Sequence, residues 1–335
     1  MSFSIRKLDN RPVQLGPHEI VAFACVRNEV LRLPFLLEHH RSIGVNRFFF
    51  IDNLSTDGTV DLLLREPDCH LFTCDGKFFA ENVEPPRWSN ALRRTFCEGH
   101  WCLSLDADEM FVYPHCESRT LHDLCAYMDS TGATALEALV IDCYGDSAVL
   151  ETDYRSGQSF IQACPYFDPE LGYEVDNNGA CPPRLMFSRF RERAFWQPEH
   201  KRQRPPCITQ VPLVRWTKGT GYLVAQHALN AAKLSELRAA VLHFKFLPGF
   251  FNAVSASLEE NAGVQEKGLK ERVTYIDTLK RNPNLNLRHP GSVRYEGSRQ
   301  LIELGWMRTS RNYEEFQDGG NVPNAMPKPR SKPAA

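Results

Sequence analysis

"EIVAFACVRNEVLRLPFLLEHHRSIGVNRFFFI", Glu19 to Ile51, decides the fold. Glu19–Val26 is a short, β-branched and apolar run, the pattern of a strand buried on both faces. A polar break, Arg27-Asn28-Glu29, interrupts it. Leu31, Phe35, Leu36 and Ile43 then recur on one side of an amphipathic helix, and Gly44 supplies its stop. Arg47–Ile51 is a second apolar strand. Strand, helix and strand in this order predict a right-handed crossover between parallel neighbours.

The same alternation continues outward. Asp52–Thr59, "DNLSTDGT", ends the second strand, with Asp57-Gly58 marking a turn, and "VDLLLRE" begins another helix. His70–Cys74 reads as a third strand, Trp88–His100 as helical, and Trp101–Leu105 as a fourth strand that delivers "DADE", Asp106 to Glu109. Strands alternating with helices predict an α/β domain on a mostly parallel central sheet with flanking helices. Ligands of such sheets sit beyond the carboxyl ends of the strands. "RNE", "DNLSTDG" and "DADE" each follow a strand, so three polar loops are expected to converge on one edge.

The second half is less regular. Ala133–Gly145 contains another strand, and a stretch rich in Pro, Gly and Asp, from about residue 146 to 183, reads as a long functional loop. Arg184–Ser188 and Ala240–Phe246 look like later strands. From Leu247 onward the pattern turns helical, through 269–282 to 298–305. The expected organisation is an extension over 1–18, a main domain over 19–247, a helical C-terminal part over 248–318 and a Pro-rich disordered tail over 319–335.

The chain has 335 residues, 42% hydrophobic and 24% charged, enough apolar mass for a sizeable core. Its net charge of −2, with no basic run, excludes a nucleic-acid footprint. The opening residues lack a signal peptide's apolar region, and no window reaches a membrane span. The expectation is therefore a cytoplasmic protein with no transmembrane segment. The eleven cysteines are scattered and odd in number, without a CxxC pair, which favours reduced thiols. His115, Cys116, His122 and Cys125 do not match zinc-ligand spacings, and Leu121 and Leu124 mark the inner face of a helix there.

Asp106 and Asp108, one residue apart on a turn after a strand, can face one hard cation. Mg²⁺ or Mn²⁺ favours such oxygens and keeps positions for phosphates and water. An acidic turn or a helix start would give the same letters. Position after an apolar strand, beside two earlier polar loops, favours the cation.

Together "VRNE", "LLEHHRSIGVNRFFFIDNLSTDGT" and "WCLSLDADEMF" resemble the bacterial family 2-like glycosyltransferases, closely over residues 19–113 and more loosely to about 305. The looser part includes "KRQRPPCITQVPLVRW", "AQHAL" and "VLHFKF". The resemblance implies a GT-A (Rossmann-like) fold, a nucleotide-diphosphate sugar donor and a divalent metal, Mn²⁺ or Mg²⁺. It places Arg27, Asn28 and Glu29 in the nucleotide pocket and Asp52 and Asn53 against base and ribose, with Asp57 and Gly58 shaping that loop. Asp106 would lie by ribose and metal, and Asp108 would be the principal metal ligand. His243, late in the domain, would complete the metal site, unless it is a satisfied core histidine. Arg93 or Arg94 would meet the diphosphate, unless they are surface charges. Lys245 would approach phosphate or stand exposed; His227, His39 and His40 carry less signal.

Direct displacement also needs a base for the acceptor hydroxyl. Asp142, Asp146, Asp168, Glu174 and Asp176 qualify by position, and Asp168, in "YFDPELGY", is the favoured one. The chain lacks the E-D pair that many family 2 members use. Tyr166, Phe167, Tyr173 and Trp216 could stack on sugar or fill the core. Glu109 is expected to orient the two aspartates or a following helix. The resulting expectation is an inverting sugar transferase acting on a glycan, a lipid-linked or another hydroxyl acceptor. Two rivals remain: a sugar nucleotidyltransferase, against which "RNE" lacks a Gly-rich basic loop, and a non-catalytic nucleotide-sugar or carbohydrate-binding protein.

Overall fold

The computed structural model describes residues 4–75, 85–177, 179–196, 205–224, 226–260 and 267–317. The tail expected over 319–335, and residues 201–204 and 225 of the looser resemblance, lie outside them.

The chain runs β1 (Ile5–Lys7), β2 (Val21–Val26), α1 (Leu33–Ile43), β3 (Arg47–Asp52), α2 (Thr59–Arg65), β4 (Cys69–Cys74), α3 (Pro85–Phe96), β5 (Trp101–Ser104), β6 (Glu109–Val112), α4 (Leu121–Thr131) and β7 (Ala135–Asp142). The irregular stretch holds a short helix, α5 (Phe160–Ala163), and the strands β8 (Tyr166–Phe167) and β9 (Tyr173–Asp176). Then come β10 (Arg184–Phe187), α6 (Arg189–Phe195), β11 (Thr209–Arg215), β12 (Tyr222–Val224), β13 (Ala228–Leu229) and β14 (Leu234–His243). The helices α7 (Phe250–Glu260) and α8 (Lys267–Arg281), β15 (Val293–Arg294) and a helix over Ser298–Glu303 follow.

Nine strands form the central sheet, in the order β1-β4-β3-β2-β5-β11-β7-β14-β6. β2, β3, β4, β5, β7 and β14 share one direction, and only β1, β6 and β11 oppose it. The protein is thus a mixed α/β fold on a mostly parallel sheet with flanking helices.

The uninterrupted apolar runs have a direct cause. Ala22 and Ala24 face one core with Phe48, Phe50 and Leu103, whereas Val21 and Phe23 face a second core with Phe49, Phe72 and Cys102. Both faces of the parallel strands are therefore covered, and no polar alternation is tolerated. Leu33 and Leu36 of α1 and Leu121 and Leu124 of α4 fill the first core, and Trp88 and Leu92 of α3 the second. Gly44 ends α1 at φ 112°, a left-handed conformation that side chains disfavour. A third, aromatic cluster joins Tyr144, Phe190 and Phe195 to Phe246, Phe250 and Tyr275, and so seats α7 and α8 on the strand ends.

The sheet's last strand, β6, is shielded by two histidines of α1. The Phe111 amide donates to His40 Nε2 at 3.3 Å, while His40 Nδ1 donates to the Leu36 carbonyl at 2.8 Å. His39 Nε2 lies 3.1 Å from the Phe111 carbonyl. Both histidines thus occupy backbone groups that an edge strand would otherwise expose.

Candidate functional site

β2, β3 and β5 are parallel neighbours, so the loops that follow them emerge on the same edge. Two of those loops are sewn to each other. The Asn28 amide donates to Ser55 Oγ at 2.9 Å, and Asn28 Oδ1 accepts the Thr56 amide at 2.7 Å. The Glu29 amide donates to Thr59 Oγ1 at 2.8 Å, and Val30 to Asp57 Oδ2 at 3.2 Å. Asp57 Oδ1 accepts both the amide and the hydroxyl of Thr59, at 3.0 and 2.6 Å. Asn28 holds φ 57° and Gly58 φ 95° in this seam. These are residue types that visit the left-handed region most readily.

In these motifs, then, Asn28 and Asp57 spend their side chains on loop geometry. Asp52 is buried, and its carboxylate accepts the Ser55 amide at 3.3 and 3.2 Å. Asn53 Nδ2 donates to the Cys74 carbonyl at 2.9 Å, which ties the second loop to β4. Arg27 lies exposed on the first loop.

The third loop carries the acids. The Glu109 carboxyl accepts the Asp106 amide at 2.8 Å, and the Glu109 amide donates back to the Asp106 carbonyl at 3.1 Å. Gln210 Nε2, from β11, donates to the other Glu109 oxygen at 3.0 Å. Glu109 therefore shapes the turn from beneath. It opens the strand β6, not a helix, which corrects that part of the sequence expectation. The Phe244 amide donates to the Asp108 carbonyl at 2.8 Å, pinning the turn to the end of β14.

That pin brings in His243. β14 pairs antiparallel with β6 and parallel with β7, with His243 opposite Glu109 and Asp142 respectively. His243 Nε2 lies 3.6 Å from Asp108 Oδ2, while Nδ1 lies 2.7 Å from Asp142 Oδ1. Arg191 of α6 grips Asp142, with Nε donating to Oδ2 at 2.6 Å and Nη2 to Oδ1 at 2.9 Å. Its Nη1 also lies 3.3 Å from Glu271 Oε1, which accepts the Tyr275 hydroxyl at 2.6 Å. Burial disfavours charge on Asp142, but Arg191 and His243 outweigh it and hold its carboxyl well below the usual range.

The acids toward the cleft behave differently. Burial, with Asp108 second, pushes the Asp106 carboxyl up to about 6. Asp106 is nonetheless solvent-exposed, so screening moderates that push. Burial also pushes Glu29 up to about 7, against its ion pair with Arg32 at 2.7 Å. Glu109 is raised by burial and by Asp106. Asp108 alone goes down: burial opposes its charge, but His243, Arg32 and Lys245 outweigh that. Four carboxyls thus share a neighbourhood in which three resist ionisation. Arg272 of α8 feels the field of Asp106 and sits in the same surroundings. Gln226 Nε2 reaches Asp106 Oδ1 at 3.5 Å, and its buried carbonyl oxygen has no partner among the described residues.

Other expected site residues lie elsewhere. Arg93 is buried, donating to Ser89 and Ser104 hydroxyls at 2.6 Å each and sitting 4.2 Å over the Phe23 ring. Its guanidinium faces the second core and not the cleft; Arg94 is exposed. Asp168 receives Nε and Nη2 of Arg193 at 3.0 and 3.1 Å, the Tyr144 hydroxyl, and His289 Nε2 at 3.2 Å. It is a tie between the irregular stretch and the C-terminal segment. His227 Nδ1 meets the Thr209 carbonyl at 2.6 Å. Trp216 and Phe167 are buried core, whereas Tyr166 and Tyr173 are half-buried under Arg288 and Arg189. Among the described residues no group of three or more His, Cys, Asp or Glu side chains is arranged to hold a metal ion, neither Asp106, Asp108 and His243 nor His115, Cys116, His122 and Cys125.

Arg32, Arg191, Gln210 and Glu271 escaped the sequence reading. Asp142 was within reach: "VID" and "VLH" both end apolar strands on their polar residue, as two facing strand ends would.

No family model matches this chain, and no curated protein matches it. Among solved structures, it is similar to TarS of S. aureus at 12% identity and TM-score 0.33, over 80% of this chain. The match spans 44% of the TarS chain, so this protein covers less than half of that length. It is also similar to a 4-diphosphocytidyl-2C-methyl-D-erythritol synthase at 13% identity and TM-score 0.28, over 82% of this chain and 94% of that one. Among the described residues no helix is long and apolar enough to cross a membrane.

Proposed function

We propose that this chain is a GT-A-type, family 2-like glycosyltransferase. It would move a sugar from a nucleotide-diphosphate sugar to an acceptor hydroxyl, with inversion, using Mn²⁺ or Mg²⁺. One observation supports the reading above others: Asp106 and Asp108 sit at the carboxyl end of β5 with His243 beside Asp108, next to two polar loops on neighbouring strand ends.

The donor set suits a hard divalent ion. Asp108 Oδ2 and His243 Nε2 are 3.6 Å apart, a separation two ligands of one ion can share. Asp106 adds a second carboxylate, and the surplus of acid leaves room for positive charge. Asp108 and His243 would hold the ion, with Asp106 beside them. Once bound, the cation supplies the charge that opposes the negative charge building on a departing diphosphate.

The chain's own residues supply the rest. The stitched loops fix the floor on which the nucleoside would lie, between Arg27 and Asn53. The unpartnered Gln226 oxygen offers an acceptor to a donor hydroxyl beside Asp106. Lys245 and Arg272 bring positive charge to the acids from β14's end and α8, taking the place first given to Arg93. For the acceptor's proton, both oxygens of Asp168 are engaged by Arg193, whereas Glu29 stands beside the acid turn with Oε2 on Arg32 and a carboxyl that burial raises to about 7. The acceptor would be a glycan, a lipid-linked or another hydroxyl compound.

A thermal-shift screen of nucleotide sugars, with Mn²⁺ and with chelator, tests the reading. The expected result is a cation-dependent rise for one nucleotide series, followed by sugar transfer in the presence of acceptor. No rise with any donor, or pyrophosphate release from a nucleoside triphosphate, would overturn it.

A further inference from the structure

We infer that Asp142 is the positioning residue of this site, acting through His243; the inference rests on the cation reading just given. Asp142 and His243 are register partners on adjacent parallel strands, so their side chains leave the sheet on one face. The 2.7 Å contact from His243 Nδ1 joins an imidazole to a carboxylate that Arg191 keeps charged. A carboxylate has no proton to give, so Nδ1 carries the hydrogen of that bond. In the neutral ring the lone pair must then reside on Nε2, the atom that faces Asp108 Oδ2 at 3.6 Å. A carboxylate behind a ligating imidazole sets its tautomer, fixes its plane and raises its basicity.

Arg191, Asp142 and His243 are all buried. Among the described residues, the charged and titratable groups facing the imidazole are Asp106 and Asp108 on the acid turn, Asp142 on β7 and Arg191 on α6, whose Nη2 lies 3.2 Å from Nδ1. Arg191 is in turn held by Glu271 of α8. α8 therefore sets the aim of the histidine through Arg191 and Asp142. Asp142, a base candidate on sequence position, is closed to an acceptor by the same contacts.

Asp142→Asn breaks the aim while keeping the shape. The Oδ1 position faces both Arg191 Nη2 at 2.9 Å and His243 Nδ1 at 2.7 Å, so an amide oxygen there leaves the ring only a neutral acceptor, and an amide NH₂ there turns a donor on Nδ1. The first arrangement removes the negative charge that holds the hydrogen on Nδ1, and the second moves the hydrogen to Nε2 and removes the lone pair a cation needs. The expected results, at a pH where the ring is neutral, are a His243 protonated at Nδ1 alone in the ¹⁵N spectrum of cation-free wild type and a shift of that population toward Nε2 in the variant. Mn²⁺ affinity by calorimetry should fall about 10–100-fold in the variant. Asp142→Glu, which restores an acceptor, should recover part of it. Unchanged Mn²⁺ affinity in a folded Asp142→Asn protein, or a neutral wild-type ring protonated at Nε2 alone, overturns the inference alone. A wild-type protein that binds no Mn²⁺ overturns the glycosyltransferase reading as well, and so separates the two failures. If Asp142→Asn fails to fold, the wild-type tautomer and the Asp142→Glu affinity decide the matter.

Discussion

The two groups of carboxylates in this molecule are built on opposite plans. Asp142 and Asp168 each meet an arginine through two nitrogens, and each also touches a histidine. Charge is balanced there, and the result is architecture: β7 is tied to α6, and the irregular stretch to the C-terminal segment. Asp106, Asp108, Glu109 and Glu29 instead crowd one another, with Arg32 ion-paired to Glu29. A fold keeps unbalanced charge at a cost to stability, and such departures concentrate where chemistry is done. Composition could not separate the two plans, because the letters are the same.

The largest effect should come from breaking the balanced plan. Arg191→Met leaves Asp142 buried beside His243 with its guanidinium clamp gone. Loss of one partner from a buried pair costs about 3–5 kcal/mol, which urea unfolding would read. A loss under about 1 kcal/mol would mean that the pair contributes little. Next in size, Asp108→Ala should lower cation-dependent transfer by on the order of 10²–10³-fold while leaving the unfolding midpoint near wild type or above it. Full cation-stimulated turnover in that variant would dissolve the contrast between the two groups.

Arg193→Met tests the milder side of the balanced plan. Its guanidinium is more than a third exposed, so solvent screens the pair with Asp168 and the expected loss is about 1–2 kcal/mol. Turnover at a temperature where the variant is folded should be retained. If Asp168→Asn instead abolished transfer without changing stability, Asp168 would return as the base and Glu29 would lose that role.

The strand order through the first parallel block was legible because each apolar run is short, doubly buried and closed by a polar loop. Convergence of "RNE", "DNLSTDG" and "DADE" followed from that pattern alone. What the letters could not show was how side chains divide between holding and acting. Asn28 read as a donor contact, yet its side chain bonds to the facing loop, while Asp57 shapes both loops. Arg93 read as a phosphate ligand, yet helical phase turns it inward onto Phe23. Long-range pairings such as Asp142 with Arg191 join residues 49 positions apart. Nothing local in either segment encodes that contact, which depends on how α6 docks after the irregular stretch.

The smallest effect has the opposite sign and probes the unbalanced plan directly. Asp106 is held at about 6 against an ordinary 3.8, so the folded protein keeps this proton over a range where the unfolded chain has lost it. Folding is therefore progressively penalised as pH rises from about 4 through 6, and the penalty is complete above that. Glu29, at about 7, extends the same loss slightly higher. Asp106→Asn removes one such charge. In chelator its melting temperature should match wild type near pH 4 and exceed it by a small margin at pH 8, since the amide has no proton to lose. With Mn²⁺ the order should invert at pH 8, because only the wild type gains binding energy from a charged Asp106. Melting curves at both pH values, with chelator and with Mn²⁺, read both signs. A chelator difference that stays flat across pH would mean that the acid turn carries no surplus charge for a cation to offset.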